Sequence, residues 1–232
     1  LQGDLFADSA PSSKMMTWKE SGARYLLADT PQKRHELICQ LAQAEEFSVD
    51  TETTSTDPMQ ATLVGMSFAI REGEAWYVPV GDDPCSIAQE FKSVLESPTA
   101  LKIGQNMKYD LQVLHSCGIH LAEPMFDTMI AHYLLHPEMR HGMDYLAEAY
   151  LNYQTIHIDE LIGTGKKQIS MAQVPPQDVC PYAAEDADIT LRLKHLFQSQ
   201  MEEAGCLPLF QDLEMPLMPV LAQMERNGVC ID

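Results

Sequence analysis

Acidic residues occupy positions at which the hydrophobic pattern of this 232-residue chain predicts contact with the core. The first two, Asp50 and Glu52, follow an apolar run in the sequence FSVDTETTST at residues 47–56. Alternate side chains of a β-strand share a face, so these acids project together, with their backbones roughly 7 Å apart. The opposite face is formed by Phe47, Val49 and Thr51. By itself the pair predicts only a strand with two acids on one face, because D-x-E often arises by chance.

A third acid, Asp110, lies within the apolar stripe of a predicted helix. In LKIGQNMKYDLQVLHSCG, at residues 101–118, the side chain of Asn106 can cap a helix that starts there. The apolar face of this helix is formed by Met107, Leu111 and Leu114. Asp110 shares that face and is therefore predicted to lean toward the core. A carboxylate in such a place costs several kcal/mol of folding free energy unless it is paired.

A fourth acid, Asp186, follows the same logic in the sequence PYAAEDADITLRLKHLF. Residues at helical spacing form one predicted buried stripe: Tyr182, Asp186, Ile189, Leu193, Leu196 and Phe197. Tyr182 therefore lies one turn before Asp186 on the same face. Glu185 and Asp188 are rotated by about 100° from that stripe and are expected to be solvated.

Four acids at core-directed positions require a source of positive charge. Two carboxylates about 5 Å apart, at an effective dielectric of ~20, repel each other by roughly 3 kcal/mol. No arginine or lysine is apparent at a matching inward position. Divalent metal ions take oxygen ligands, and two-metal sites, with ions about 3.5–4 Å apart, serve in-line attack on phosphodiesters. The acids therefore predict a metal-dependent phosphodiester-cleaving site.

The order of elements predicts an α/β domain with a mixed sheet. Strands are expected at residues 24–28, 47–51, 62–70, 75–80 and 100–103. Helices are expected at residues 31–45, 84–96 and 106–117, and everything from Pro124 onward is expected to be helical. The predicted organisation is an N-terminal arm at 1–22, the α/β domain at 23–204 and a further helical segment at 205–232.

Composition limits the range of functions. The net charge of −19 argues against a stand-alone nucleic-acid binder, although an enzyme can hold nucleic acid through cations and a few local contacts. No apolar run reaches membrane-spanning length and no signal pattern opens the chain, so a cytosolic location is expected. The six cysteines contain no C-x-x-C pair and are expected to be buried or free thiols in a reducing compartment. Both ends of the sequence look as if cut from a longer polypeptide.

Three segments together resemble the exonuclease motifs of the proofreading domain of bacterial family-A DNA polymerases. These segments are VDTET, IGQNMKYD and YAAEDADIT. Other stretches are similar to the family as well: LVGMSFAI, FDTMIAHYLL, MDYLAEAYL and EMPLMPVLAQMERNGVCID. The resemblance covers about residues 24–232, and its last stretch is similar to the opening of the polymerase domain that follows in such enzymes.

The resemblance implies a ribonuclease H-like fold, a central mixed sheet flanked by helices with a helix-rich C-terminal half. It also implies removal of 3′-terminal nucleotides with two divalent ions, Mg²⁺ or Mn²⁺, with Zn²⁺ also possible at the first site. Asp50, Glu52 and Asp186 would hold the first ion. Asp110 with Asp50 would hold the second, partly through water. Tyr182 would orient the attacking water through a phenol that is neutral at pH 7.

The resemblance also implies partners and substrate contacts. The substrate would be the single-stranded 3′ end of DNA. The protein would be a monomer with a polymerase domain in cis, and it would work in the bacterial cytoplasm near the nucleoid. Contacts to the substrate would come from Thr51, Thr56, Gln105, Asn106, Tyr109 and Arg140. Thr56 stands where related enzymes often have an apolar wedge, so stacking on the terminal base is expected to be weaker. Pro181 implies that the helix carrying Tyr182 either starts there or bends.

Two alternative functions stay open. One is a ribonuclease D-like exoribonuclease, with the same chemistry on another substrate, although the polymerase-like C-terminal stretch argues against it. The other is a degenerate editing domain kept as a scaffold, and the presence of all five motif residues argues against it.

His132 and His136 have a zinc-like spacing but lack the accompanying glutamate, and ordinary helix histidines are expected. Asp127 is expected to be a helix cap rather than a further ligand.

Overall fold

A six-stranded mixed sheet forms the centre of the structure, a computed structural model that describes residues 14–230. The strands are β1 (Arg24–Leu27), β2 (Glu46–Thr53), β3 (Leu63–Arg71), β4 (Glu74–Pro79), β5 (Leu101–Gly104) and β6 (Met125–Asp127). Their order across the sheet is β1-β4-β3-β2-β5-β6. β3 runs antiparallel to β2 and β4, and the other neighbouring pairs are parallel. The mixed α/β sheet predicted from the sequence is thereby confirmed.

Helices cover both faces of this sheet. They are α1 (Trp18–Ser21), α2 (Pro31–Leu41), α3 (Pro84–Glu90), α4 (Lys92–Leu95), α5 (Met107–Ser116), α6 (Thr128–Leu135), α7 (Met143–Leu151), α8 (Ile158–Ile162), α9 (Pro176–Ala204), α10 (Leu207–Leu209) and α11 (Met215–Asn227). Short 3₁₀ turns at Gly165–Lys167 and Met171–Gln173 precede α9, and a π-helical turn at Phe210–Glu214 precedes α11. In the described part of the chain, no helix has both the length and the apolar character that a membrane span requires.

Two hydrophobic cores lie on opposite faces of the sheet. On one face Phe47 and Val49 of β2 pack with the helices α2, α3, α5 and α11, and the rings of Phe68 and Phe91 stack at 5.2 Å. On the other face α6, α7 and α9 pack against the sheet around Phe197. The alternation predicted for β2 is therefore confirmed, with its apolar side toward α5 and its acidic side toward α9.

Three expectations about secondary structure were wrong in detail. Everything after Pro124 was expected to be helical, but Met125–Asp127 pairs with β5 as a parallel strand. A buried three-residue strand has no periodicity by which a sequence pattern can distinguish it from a helix start. The expected helix at 84–96 is divided at Phe91, and the helix that begins at Pro31 ends at Leu41.

Segments on both sides of the central domain pack onto it. Residues 1–13 of the expected N-terminal arm lie outside the described residues, but Met16 forms a β-bridge with Tyr153. In α11, Met218 and Ala222 are buried in the same core as α5. Glu225 adds an ion pair with Lys108 on the surface of that contact.

The expectation that every cysteine is a free thiol was wrong for one pair. Cys85 and Cys117 form a disulfide between the start of α3 and the end of α5, with their Cα atoms 4.8 Å apart. They are separated by 32 residues in sequence, so only the tertiary structure brings them together. Cys39, Cys180, Cys206 and Cys230 are free.

Candidate active site

Asp50, Glu52 and Asp186 converge where the acidic face of β2 meets α9. Carboxylate oxygens of all three lie within 4.8 Å of one another. Among the described residues no other group of three or more histidine, cysteine or acidic side chains lies so close. The hydroxyl of Ser48, on the same face of β2, donates to the backbone carbonyl of Ala187 at 2.6 Å. This bond fixes α9 against β2 within one residue of Asp186.

Asp110 approaches from the other side of β2. It lies in the first helical turns of α5 and only 2% of its surface is exposed. Its Oδ1 accepts a hydrogen bond from Thr51 at 2.5 Å, and Thr51 belongs to the same face of β2 as Phe47 and Val49. Thr51, named from the sequence as a substrate contact, is thus engaged with Asp110. Asp110 itself lies outside the close group of three carboxylates.

The four carboxyl groups are held in an environment that disfavours their charge. Burial raises the pKa of Asp50 to about 7. Burial also raises the pKa values of Glu52, Asp110 and Asp186, and the neighbouring acids raise them further. Within residues 14–230 no basic side chain forms an ion pair with any of the four.

One atom of this group has no hydrogen-bond partner. Oε1 of Glu52 is buried and receives no donor from the described residues. A buried carboxylate oxygen without a donor is costly, and so is a cluster of buried like charges. An oxygen-only donor set with surplus negative charge matches the ligand preference of hard divalent cations. The residues present therefore fit the metal ions that the sequence predicts.

Tyr182 lies one helical turn before Asp186 on α9 and is partly buried. The charge of Asp186, and then burial, raise the pKa of its phenol, so the hydroxyl stays protonated at neutral pH. Pro181 lies inside α9, which begins at Pro176. Of the two possibilities predicted for Pro181, a helix that starts there is therefore wrong.

Asn106 has a left-handed backbone, with φ of 62° and ψ of 43°, immediately before α5. It was expected to cap α5 with its side chain, but the side chain makes no capping bond, because an N-cap residue needs an extended backbone to reach back. Asp127 does this work and caps two helices. It accepts from the backbone amide of Met107 at 2.7 Å and from those of Met129 and Ile130 at 2.8 and 3.1 Å. The prediction that Asp127 is a helix cap is confirmed.

An open cleft of about 610 Å³ lies beside the acids. One wall is formed by the end of β2, the turn after it and the start of α5: Thr51, Glu52, Thr53, Thr54, Ser55, Thr56, Asn106 and Tyr109. The other wall is formed by α8 and the turns after it: Ile158, Ile162, Gln168, Ile169, Ser170 and Met171. Thr56, Asn106 and Tyr109, named from the sequence as substrate contacts, therefore line one cleft with Glu52. The sequence reasoning missed the second wall.

Gln105 and Arg140 belong to the surroundings of this cleft rather than to its lining. Nε2 of Gln105 donates to the backbone carbonyl of His141 at 2.7 Å, and Thr128 donates to its Oε1. Arg140 is exposed in the loop just before His141. Gln105 thus attaches the loop that carries Arg140 to the start of α5.

His132 is buried and lies 2.7 Å from His141 and 2.9 Å from the hydroxyl of Tyr150.

Glu185 and Asp188 were expected to be solvated, and both are fully buried. Glu185 accepts from the hydroxyl of Tyr153 and the backbone amide of Ile156, each at 2.6 Å. Asp188 accepts from the hydroxyl of Tyr25 at 2.9 Å and forms an ion pair with Arg192. The single-stripe rule failed because α9 is covered nearly all round. The alanines at 183, 184 and 187, all buried, were a signal of such close packing.

Comparisons with known proteins agree with this geometry. The family model of 3′-5′ exonucleases of the DNA polymerase A type (DNA_pol_A_exo1) matches residues 25–202. DNA polymerase I of Pseudomonas aeruginosa is 43% identical over 205 residues, which cover 83% of this chain. The chain spans only 22% of the length of that relative.

Two solved structures share the fold. One is the polymerase-domain structure of Pol1 from M. smegmatis in complex with DNA primer-template and dNTP, with a TM-score of 0.70 and 20% identity over 89% of this chain and 33% of that chain. The other is Escherichia coli RNase D, an exoribonuclease, with a TM-score of 0.70 and 20% identity over 87% of this chain and 51% of that chain. These likenesses establish the ribonuclease H-like fold that the sequence predicts.

Proposed function

This chain belongs to the 3′-5′ exonuclease family of family-A DNA polymerases, and from that membership we propose that it removes nucleotides from the 3′ end of single-stranded or frayed DNA as the proofreading part of a polymerase. The observation that carries the proposal is the convergence of Asp50, Glu52 and Asp186 beside an open cleft. The class of enzyme is a phosphodiester hydrolase. The DNA substrate and the proofreading role are the proposed part.

Divalent metal ions are implied by the family, and the acidic cluster suits them. Asp50, Glu52 and Asp186 would hold one ion, and Asp110 with Asp50 a second, with Mg²⁺ or Mn²⁺ as the expected ions. When bound, such ions activate water at neutral pH and stabilise charge on the leaving oxygen. The contribution of the chain is a fixed set of carboxylates from three elements, so that the ligands need little rearrangement.

Tyr182 is proposed to position the attacking water rather than to deprotonate it. Its phenol has a pKa raised by the charge of Asp186 and by burial, so it offers a donor proton and an acceptor oxygen at neutral pH. A group that holds its proton this strongly is a poor general base. The proposed role of Tyr182 is therefore to orient the attacking water.

The cleft suits a single strand of nucleic acid. Asn106 and Tyr109 line it together with Ile158 and Ile162, so the cleft offers polar groups to the sugar and phosphate and apolar surface to a base. Thr56 offers less apolar surface than an apolar wedge residue would, so stacking on the terminal base is expected to be weak. Arg140 would approach the backbone of the strand from a loop held by Gln105.

The net charge of −19 affects how tightly this chain can bind DNA. Such a charge repels phosphates beyond the site, so this chain alone is expected to bind DNA weakly, and a polymerase domain in cis would supply most of the affinity. The proposed state is a monomer in the bacterial cytoplasm, working near the nucleoid. Single-stranded DNA titrated at low salt checks the affinity, since a submicromolar dissociation constant without metal would contradict it.

Ribonuclease D-like activity on RNA is the second candidate, since Escherichia coli RNase D shares the fold with a TM-score of 0.70. The 43% identity to a DNA polymerase favours DNA. Matched RNA and DNA oligonucleotides decide between the two. A third candidate is a catalytically degenerate scaffold. Calorimetry tests it: metal binding by the wild type that is lost in Asp186→Ala would argue against a scaffold, and no such binding would support it.

The direct test of the proposed function is release of mononucleotides from a 3′-labelled single strand in magnesium or manganese. The double variant Asp50→Ala with Glu52→Ala serves as the background, because it lacks two of the proposed ligands. Release well above that background is expected. Equal rates for the two proteins would reject the proposal.

A further inference from the structure

The connector between α7 and α8, residues 152–157, is held on both of its sides. On one side the backbone amide of Met16 donates to the carbonyl of Asn152 at 3.0 Å, and the amide of Gln154 donates to the carbonyl of Met16 at 2.9 Å. On the other side Glu185 of α9 accepts the two bonds described above. Met16 and Glu185 therefore restrain the path of the chain into α8, and the hydroxyl of Thr155 adds a bond to Oδ1 of Asp144 at 2.8 Å.

Glu185 is a buried acid that is compensated by hydrogen bonds rather than by an ion pair. It is fully buried, as is its partner Tyr153, with 1% of its surface exposed. No lysine, arginine or histidine of the described chain forms an ion pair with it. Two neutral donors, one of them a backbone amide, compensate its burial. Replacement of Glu185 by an apolar side chain would leave the amide of Ile156 and the hydroxyl of Tyr153 without their acceptor.

The segment that Glu185 holds becomes the second wall of the cleft. α8 starts two residues after Ile156, and its residues Ile158 and Ile162 line the cleft. Ile158 is 42% exposed, so it presents apolar surface there. The wall is also packed on α9, because Ile162 and Met171 contact an apolar cluster that Val179, Cys180 and Ala183 help to form. Tyr182 packs against the same cluster.

α9 therefore carries Tyr182 and Asp186 on its active-site side and the second cleft wall on the neighbouring side. We propose that Glu185 is a positioning residue that fixes this wall relative to the catalytic side chains, so that a single strand is bound in register with the reacting phosphate. In this role Glu185 acts indirectly, because it contacts neither the substrate nor the carboxylate oxygens that would bind metal. The inference rests on the proposed exonuclease function and deepens it.

The test uses three substitutions at one position. Glu185→Gln keeps the size and leaves an oxygen for the amide of Ile156, while its NH₂ group donates to the oxygen of Tyr153. Glu185→Asp keeps the charge but is one methylene shorter, so it loses at least one of the two bonds. Glu185→Ala loses both. Each variant is compared with the wild type in steady-state kinetics on a single-stranded oligonucleotide and in amide hydrogen exchange.

The expected kinetic result is a split between KM and kcat. Glu185→Asp and Glu185→Ala raise KM about tenfold and leave kcat within about twofold, while Glu185→Gln resembles the wild type. Hydrogen exchange becomes faster at residues 153–162 in the first two variants, while residues 186–193 of α9 keep their protection. If Glu185→Ala does not fold, Glu185→Asp and Glu185→Gln still give the comparison.

Other outcomes overturn the inference. An unchanged KM in Glu185→Asp, or an equal loss of protection in α9 and in residues 153–162, would mean that Glu185 only stabilises the fold. Loss of activity in Glu185→Gln as severe as in Glu185→Ala would mean that the carboxylate itself takes part in the reaction. Absence of nucleotide release by the wild type rejects the proposed function instead, and the exchange experiment still tests the positioning role.

Discussion

The hydroxyl of Thr51 donates a hydrogen bond to Oδ1 of Asp110 at 2.5 Å, and this contact links the two faces of β2 at the active site. Asp50 and Glu52 project from one face of the strand toward α9, and Thr51 projects from the other toward α5. A single strand thus carries two of the acids and orients a third. The bond opposes, in part, the rise in the pKa of Asp110 caused by burial and by Asp50.

Replacement of Thr51 by valine tests this relationship. The substitution keeps the shape and removes the donor, and a hydrogen bond to a charged group is worth about 1.5–3 kcal/mol. If Asp110 loses its orientation, we expect kcat for nucleotide release to fall about tenfold or more. Thr51→Ser keeps the hydroxyl and is expected to stay near the wild-type rate. A fully active Thr51→Val protein would show that Asp110 is positioned by other contacts.

Metal ions are expected to stabilise the folded protein. The four carboxyls repel one another, and an ion that binds only the folded state at 100 times its dissociation constant adds about 2.7 kcal/mol. For a chain of this size that corresponds to a rise in Tm of about 5–10 °C. Differential scanning calorimetry with and without Mn²⁺ measures the shift. Glu52→Gln should reduce it strongly, and an equal shift in this variant would exclude Glu52 as a ligand.

His132 predicts a dependence of stability on pH. Burial, followed by the neighbouring His141 and His136, lowers its pKa from 6.5 to about 4. Its contribution to stability is therefore complete above pH 6.5 and is lost as the pH falls toward 4, because the unfolded chain binds the proton more readily. Between pH 7.5 and pH 5 the free energy of unfolding should fall more steeply in the wild type than in His132→Gln, by an amount on the order of 1 kcal/mol.

Urea unfolding of the two proteins at both pH values provides the comparison. The difference between the slopes isolates His132, since the remaining titrating groups are common to both proteins. Parallel pH profiles would show that His132 is not the group responsible.

Asp127 is expected to make a large contribution to the free energy of unfolding, because one carboxylate caps two helices. Its carboxylate caps the starts of α5 and α6, which carry Asp110 and His132 respectively. Removal of the acceptor leaves buried backbone donors unpaired, so Asp127→Ala should lower the free energy of unfolding by about 2–4 kcal/mol. Asp127→Asn keeps one oxygen and should lose less. Chemical denaturation that gives a loss below 1 kcal/mol for the alanine variant would contradict the double-capping role.

The parts of the fold with strong local periodicity were predictable from the sequence. The alternation of Phe47, Val49 and Thr51 with Asp50 and Glu52 determined the two faces of β2 before any tertiary contact was known. The placement of Asp186 toward the core followed from helical spacing in the same way. Both rules work because one face of each element meets a different environment from the other.

Features that depend on distant contacts could not be predicted in this way. The burial of Glu185 and Asp188 results from packing around the whole of α9, and the capping of α5 by Asp127 results from the neighbouring strand β6. The second cleft wall around Ile158 carries no motif that marks it as functional. In each case the deciding partner is remote in sequence, so local pattern carries little information about it.

The most direct test of the metal site is anomalous diffraction from a crystal soaked with manganese. We expect one peak bounded by the carboxylates of Asp50, Glu52 and Asp186, and a second between Asp50 and Asp110. Both peaks should vanish in Asp50→Ala, the residue proposed to touch both ions. A soaked wild-type crystal with no anomalous peak among these four acids would contradict the proposal that they are metal ligands of an exonuclease.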